Sequence, residues 1–339
     1  MVKSKVFFYH CCKKLHKLLT LHSVFNIMLI TNCKYKEMLA MDNKKELILK
    51  PSQSSICGKS YNLLNLKLLN GCNGKCEFCI ASGTPFKHSV DAQKFIDTAN
   101  SMTEFSKVDV LGGEPTLYPD LVKVVKGIRP FKKDIGIISN GSNLRVLKEC
   151  LPYLDTITLS IHSFDYRKNS TGIIINEDEL KDLNDNKGNV ETIAAVLISN
   201  ETVANLEEIE AYAQKAKELG FSAIKLMELI TSNENVDFID LQDLLIDFGI
   251  HQKNATLKGC LFDLPKLSEH LGIKTYIKLC CPYNNIFKAK NFGVPNIEYQ
   301  HKYMSVIQPD CSVTETWVYD SFDNKILNGV NLNVNYLTK

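Results

Sequence analysis

Between Tyr61 and Ile230 the chain switches repeatedly from short apolar β-type runs to stretches with helical spacing. The apolar runs are "YNLLNLKLLN" (61–70), "KVDVL" before Gly112-Gly113, "DIGIIS" before Asn140-Gly141, "TITLSIH" (156–162), "TIAAVLISN" (192–200) and "SAIKLMELI" (222–230). Helical spacing lies between them at 91–102, at about 119–129, at about 143–151 and at 205–220. The polar stretch 165–190 reads as loop with one helix. Six alternations at roughly 25–35 residues each have the size of a strand–helix unit. Units of that kind build a parallel sheet, and six of them predict an α/β fold with a partial (β/α)6 barrel rather than a closed eight.

The clearest helix is "NLEEIEAYAQKAKELG". Asn205 can cap it, Glu207 and Glu208 suit the positive end of its dipole, and Gly220 stands at its stop. Leu206, Ile209, Ala213 and Ala216 share one face and should be buried. After residue 236 the alternation breaks. A helix at 239–248, several short apolar runs and the hairpin-like "YMSVIQPDCSVTETWVYD" (303–320) predict a small C-terminal α+β domain. The expected organisation is therefore an N-terminal extension outside the fold (1–56), the barrel (57–235) and a cap or degenerate auxiliary-cluster-like domain (236–339).

The first 40 residues run from the basic "MVKSKVFFYHCCKKLHK" to the apolar "LLTLHSVFNIMLIT". The order is that of a signal peptide, but His16, Lys17, His22 and Asn26 interrupt it and no small-residue cleavage site follows. The apolar run is too short for a membrane span. The expectation is an over-extended start with Met41 opening the working chain, and a peripheral membrane helix is the alternative. With 40 basic and 38 acidic residues the net charge is +2, so composition lends a nucleic-acid partner no support.

Twelve cysteines are many for 339 residues. A disulfide framework suits small secreted domains rather than a chain with a large apolar core. Cys72, Cys76 and Cys79 stand in C-x3-C-x2-C spacing within "NGCNGKCEFCIAS", directly after the first apolar run. Clustered thiolates need a reducing compartment, which points to the cytoplasm. Zinc in a structural site takes four ligands, with His88 or a distant cysteine as the fourth. A cubane iron–sulfur cluster on three cysteines leaves one iron free for another ligand. Spacing and position favour the cluster. The motifs "GGEP" (112–115), "SNG" (139–141), "SIH" (160–162), "SNE" (199–201) and Met227-Glu228 likewise follow strands, at the ends where parallel sheets bind ligands.

C-x3-C-x2-C with Phe78 before its last cysteine, followed 33 residues later by "GGEP", resembles the signature of the radical S-adenosylmethionine (SAM) superfamily. "ISNG" and "TLSIH" resemble that family's next two strand ends. "TIAAVLISNETVANLEEIEAYAQKAKELGFSAIKLMELI" is most similar to the branch containing the molybdenum-cofactor cyclase MoaA, which also includes peptide-modifying enzymes. The resemblance implies that Cys72, Cys76 and Cys79 hold three irons of a [4Fe–4S] cluster whose fourth iron chelates SAM. It implies reductive cleavage of SAM to a 5′-deoxyadenosyl radical that takes hydrogen from a small-molecule or peptide substrate. The electron would come from a flavodoxin or ferredoxin. By position, Gly112, Gly113, Glu114 and Pro115 would lie along the methionine part of SAM. Ser139, Asn140 and Ser160 would approach its ribose or carboxylate, and Ser199, Asn200 and Met227 its adenosyl group.

The sequence departs from relatives at His162, where many carry Asp; it is a proton donor or acceptor, or a packed residue. MoaA carries a second three-cysteine set and ends in Gly-Gly, whereas this chain ends "VNYLTK" and has Cys260, Cys280, Cys281 and Cys311 with no C-x2-C among them. In "IQPDCSVTETW", Cys311 stands where a glycine is usual in auxiliary-cluster turns, so the cyclase itself is not expected. A second cluster on those four cysteines stays open. The rival reading is a non-catalytic zinc or iron–sulfur binding module.

Overall fold

The computed structural model describes residues 63–76, 78–79, 91–165, 171–229, 237–247, 256–258, 261–279 and 305–314. The six expected strands are present: β1 (Leu63–Lys67), β2 (Lys107–Leu111), β3 (Asp134–Ser139), β4 (Thr156–Ser160), β5 (Glu191–Leu197) and β6 (Ala223–Met227). The helices between them are α1 (Ala92–Ser101), α2 (Leu121–Ile128), α3 (Leu144–Cys150), α4 (Glu177–Asp185) and α5 (Leu206–Glu218). Short polar side chains start four of them. Asp91, Asn143, Asn176 and Asn205 each accept hydrogen bonds from main-chain N–H groups of the first turn that have no helical partner.

Strands β1 to β6 pair in sequence order and all in parallel. Right-handed crossovers in an order that never reverses put every helix on the same side, which curls the sheet as in a barrel. Burial follows from that. On one face of the strands Leu64, Leu66, Val108, Val110, Ile135, Ile137, Ile157 and Leu159 have almost no contact with water. Asp109, Leu111, Ile138, Ser160, Lys225 and Met227, on the other face, are only partly buried. That second face is the inside of a partial barrel with room left in it.

The described part of 236–339 continues the same sheet. It supplies helices α6 (Leu241–Asp247) and α7 (Pro265–Leu271) and strands β7 (Thr256–Lys258), β8 (Leu261–Asp263), β9 (Lys274–Lys278), β10 (Ser305–Ile307) and β11 (Val313–Thr314). Strand β9 joins β6 in parallel at one edge, and β10 joins β1 in parallel at the other. The boundary expected at 235–236 therefore falls within one sheet. Antiparallel ribbons, β8–β7 beyond β9 and β11 beyond β10, then finish the two edges. The expected hairpin is β10–β11, and its turn holds Cys311 at φ 67°, a left-handed conformation that explains why glycine is the usual residue there. The extension 1–56 and Cys260, Cys280 and Cys281 lie outside the described residues. No helix of the described residues is long and apolar enough to cross a membrane.

Candidate functional site

The cysteine loop is fixed by main chain before any side chain acts. Past β1, Leu68 N donates to Leu111 O at 3.0 Å, Gly113 N to Leu69 O at 2.8 Å and Glu114 N to Gly71 O at 2.9 Å. The stem of the loop is thus laced onto the "GGEP" turn after β2. Gly113 is required for this closeness, because a Cβ there would stand 1.8 Å from the carbonyl oxygen of Gly71. On the far side Lys75 N donates to Thr171 O at 2.8 Å, so the segment after residue 170 also holds the loop. Cys72 is exposed, and Cys76 and Cys79 are half-buried. Phe78 sets its ring edge-on to His162, with centroids 4.7 Å apart.

Glu114 is the hub of the site. Its carboxylate is buried and accepts four hydrogen bonds, from Thr116 N (3.0 Å), Thr116 Oγ1 (2.6 Å), Ser139 Oγ (2.7 Å) and Asn140 N (2.7 Å). Burial raises its carboxyl above the ordinary range, against the pull of the four donors. With both oxygens engaged inside the protein, the carboxylate ties β2 to β3. The main chain of Gly112–Glu114 is what this turn can offer a ligand. Pro115 opens the 3-10 turn Pro115–Leu117, whose first N–H, that of Thr116, the same carboxylate caps. Ser139 is likewise committed: it donates to Glu114 and accepts from Gly141 N at 3.0 Å.

Asn140 connects this hub to the cysteines. Its Nδ2 donates to Asn73 Oδ1 at 2.9 Å and approaches Cys72 Sγ at 3.6 Å, while its Oδ1 accepts from Ser142 N at 2.9 Å. Gly74 N also donates to Cys72 Sγ, at 3.2 Å. Burial raises the Cys72 thiol above its usual range, and Cys76 is pushed up to about 11 by burial and then by the neighbouring Cys79 and Cys72. Partly buried thiols at Cys72 and Cys76, with N–H groups aimed at the Cys72 sulfur, fit a group that brings positive charge and takes thiolates. Among the described residues no three His, Cys, Asp or Glu side chains converge on one metal-ion position. An orphan acceptor, Asn70 Oδ1, lies buried beside the loop stem without a hydrogen-bond partner among the described residues.

His162 is buried, and its Nδ1 accepts from Leu197 N at 3.1 Å, which leaves the proton of the neutral ring on Nε2. Burial lowers its pKa to about 4, so the ring is uncharged at neutral pH. Between the two roles open for it, packing under Phe78 has the geometry. Ser160 and Met227 end β4 and β6 and are half-buried on the inner face. Ser199 Oγ lies 3.0 Å from Thr202 Oγ1 within its own turn, and Asn200 Nδ2 donates to Asp237 Oδ2 at 3.1 Å, 37 residues further along the chain. Glu228, next to Met227, is buried and accepts from Leu241 N at 3.1 Å.

Sequence reasoning missed Asn73 and Thr171, whose partners are brought close only by folding. It also missed Asp109 and Lys225 inside the barrel. Burial raises the carboxyl of Asp109, and it lowers Lys225 to about 8, helped by Lys278. Gly136, in the middle of β3, was the available signal. A Cβ there would come within 2.5 Å of Asp109 Oδ1, so the glycine makes room for an inward-facing carboxylate.

Comparison with known proteins agrees with this geometry. The model of the "Radical SAM superfamily" matches residues 66–245, more than half of the chain. A probable GTP 3',8-cyclase of Thermococcus kodakarensis is 31% identical over 34% of this chain and 40% of its own length. A second, from Thermoplasma volcanium, is 26% identical over 69% of this chain and 64% of its own length. The chain thus spans less than two thirds of these relatives. Among solved structures, SuiB of Streptococcus suis shares the fold at about the same level in two states. Bound to S-adenosylmethionine it has a TM-score of 0.55 at 15% identity, covering 76% of this chain and 60% of SuiB. Bound to its precursor peptide SuiA it has a TM-score of 0.54 at 14% identity, covering 79% and 64%.

Proposed function

Because the chain belongs to the radical SAM superfamily, in a branch similar to MoaA, we propose that it is an enzyme that cleaves SAM reductively and takes hydrogen from a small-molecule or peptide substrate. The observation that carries this reading is the docking of the three-cysteine loop on the main chain of Gly112–Glu114 at the carboxyl ends of β1 and β2. A [4Fe–4S] cluster with SAM on its free iron would supply, when reduced, a 5′-deoxyadenosyl radical.

The protein's part is to hold, orient and shield. Cys72, Cys76 and Cys79 would ligate the cluster, and the main chain of Gly112, Gly113 and Glu114 would line the methionine part of SAM, with Pro115 fixing the turn. Glu114 positions that turn through Ser139 and Asn140 rather than meeting the ligand with its carboxylate. Ser160 and Met227, half-buried on the inner face, are free to meet the ribose and adenine; Ser199 and Asn200 would frame the same side from their turns. His162 seats Phe78 and so the cysteine loop. An electron donor of the flavodoxin or ferredoxin kind and a cytoplasmic location follow from the reductive chemistry. The names of the relatives bring both a nucleotide and a peptide within the substrate range.

The test is anaerobic reconstitution of the full chain with iron and sulfide, then addition of SAM and dithionite. Brown protein and 5′-deoxyadenosine are expected, and Cys76→Ala should lose both. Colourless, zinc-loaded protein that leaves SAM intact would sink the reading in favour of a binding module.

A further inference from the structure

The three cysteines are not equivalent. Cys72 Sγ has two N–H groups directed at it, from Gly74 N at 3.2 Å and from Asn140 Nδ2 at 3.6 Å, a normal reach for so large an acceptor atom. Asn140 cannot turn its amide over without loss. Its Oδ1 accepts from Ser142 N, and its Nδ2 donates to Asn73 Oδ1, so the flipped amide would face an N–H with its own N–H and set its oxygen against Asn73 Oδ1 and the sulfur. Its main-chain N–H is held by Glu114 Oε2 at 2.7 Å, and the residue is almost fully buried. The donor is therefore rigidly aimed from the end of β3 at a sulfur on the loop after β1.

Resting on the reading above, we propose that Asn140 is a positioning residue that tunes the cluster electronically through an N–H···S bond to Cys72, not a contact for the ribose or carboxylate of SAM. A hydrogen bond to a ligating thiolate withdraws charge from the sulfur and stabilises the reduced, more negative cluster. It makes one corner easier to reduce than the other two, and it places that effect on the strand end whose main chain carries the Glu114 turn. Communication then runs from the turn that lines SAM, through Glu114 and Asn140, to Cys72. Movement of that turn as SAM enters would be felt at the sulfur.

The experiment compares the full-length chain with Asn140→Leu, which removes the donor but keeps the main-chain N–H to Glu114, and Asn140→Asp, which sets an acceptor against the thiolate. Each is reconstituted anaerobically, its iron and sulfide are assayed, and its midpoint potential is followed by electron paramagnetic resonance during a mediated dithionite titration. The expected result is full iron content, a potential shifted to more negative values in Asn140→Leu, and a larger shift in Asn140→Asp. The affinity for SAM, read by equilibrium binding to the oxidised protein, should change little. Should Asn140→Leu not hold iron, Asn140→Ser removes the same amide with a smaller change in the core and is read in the same way. Iron-replete variants with an unchanged or raised potential overturn the proposal alone, as does a large loss of SAM affinity at constant potential. A wild-type chain that takes up no iron overturns the functional reading from which it starts.

Discussion

The strand ends of β1–β3 and those of β5–β6 face the same opening but are secured in different ways. On the β1–β3 side the fastenings are long-range. Main-chain bonds lace the cysteine loop to "GGEP", and one buried carboxylate joins residues 114, 139 and 140. On the β5–β6 side the side-chain fastenings are more exposed. Ser199 bonds to Thr202 and Val203 within its own turn, and Asn200 reaches an exposed Asp237. A metal cluster requires three thiolates held at fixed separations before it arrives, so rigidity is placed where ligands must be pre-arranged. A side held by exposed and half-buried side-chain bonds can adjust to its occupant at small cost.

That contrast can be broken by measurement. Glu114→Ala should have the largest effect. It leaves the N–H groups of Thr116 and Asn140 buried without an acceptor, at about 2 kcal/mol each, so a loss of about 4 kcal/mol in urea unfolding is expected. A loss below about 1 kcal/mol would show that water replaces the carboxylate and that the hub is not one. Gly113→Ala comes next, at up to about 3 kcal/mol, because the added methyl meets main chain rather than a flexible side chain. Iron content after reconstitution should fall with it, since the loop must lift; full iron in this variant would contradict the close docking.

His162 gives a pH signature of intermediate size. Its imidazole titrates near 6.5 when unfolded and near 4 when folded, so protons favour the unfolded chain. Stability from this residue is complete above about pH 6.5 and is lost as pH falls towards 4, amounting to about 2 kcal/mol by pH 5. Urea midpoints across pH 5–7 should show this slope in the wild type and a flatter one in His162→Gln. Equal slopes would mean that the ring is solvated. Smallest is Asn200→Ala on the other side of the opening, expected within about 0.5 kcal/mol because its bond is exposed. A cost there rivalling that of Glu114→Ala would erase the distinction between the two sides.

Legibility in the sequence followed the range of the interactions. Period and capping are local, so the six units stood where the pattern placed them, and Asn205 caps its helix through Glu208 N at 3.1 Å. Even there one position moved. Leu206, expected on the buried face, is only partly buried, and Tyr212 joins Ile209, Ala213 and Ala216 inside because its hydroxyl finds Ile161 O at 2.8 Å. Beyond residue 236 the strands other than β9 are two or three residues long, too brief for a period to show, and no regular strand–helix alternation surrounds β9, so their joining both edges of the sheet was not readable. The cysteine spacing announced the candidate ligands. It did not announce that Glu114, Ser139 and Asn140 face one another, because a side-chain bond across 25 or 26 residues leaves no mark on spacing.

Gly136 has a bearing on how this chain can vary. The space its missing side chain leaves is filled by the carboxylate of Asp109 from the adjacent strand, so the two positions act as a single volume divided between β2 and β3. Any lineage that placed even a methyl group at 136 would have to shorten or redirect residue 109 in the same step. A methyl group at 136 is therefore tolerated only where the carboxylate at 109 turns away or the side chain there is shorter.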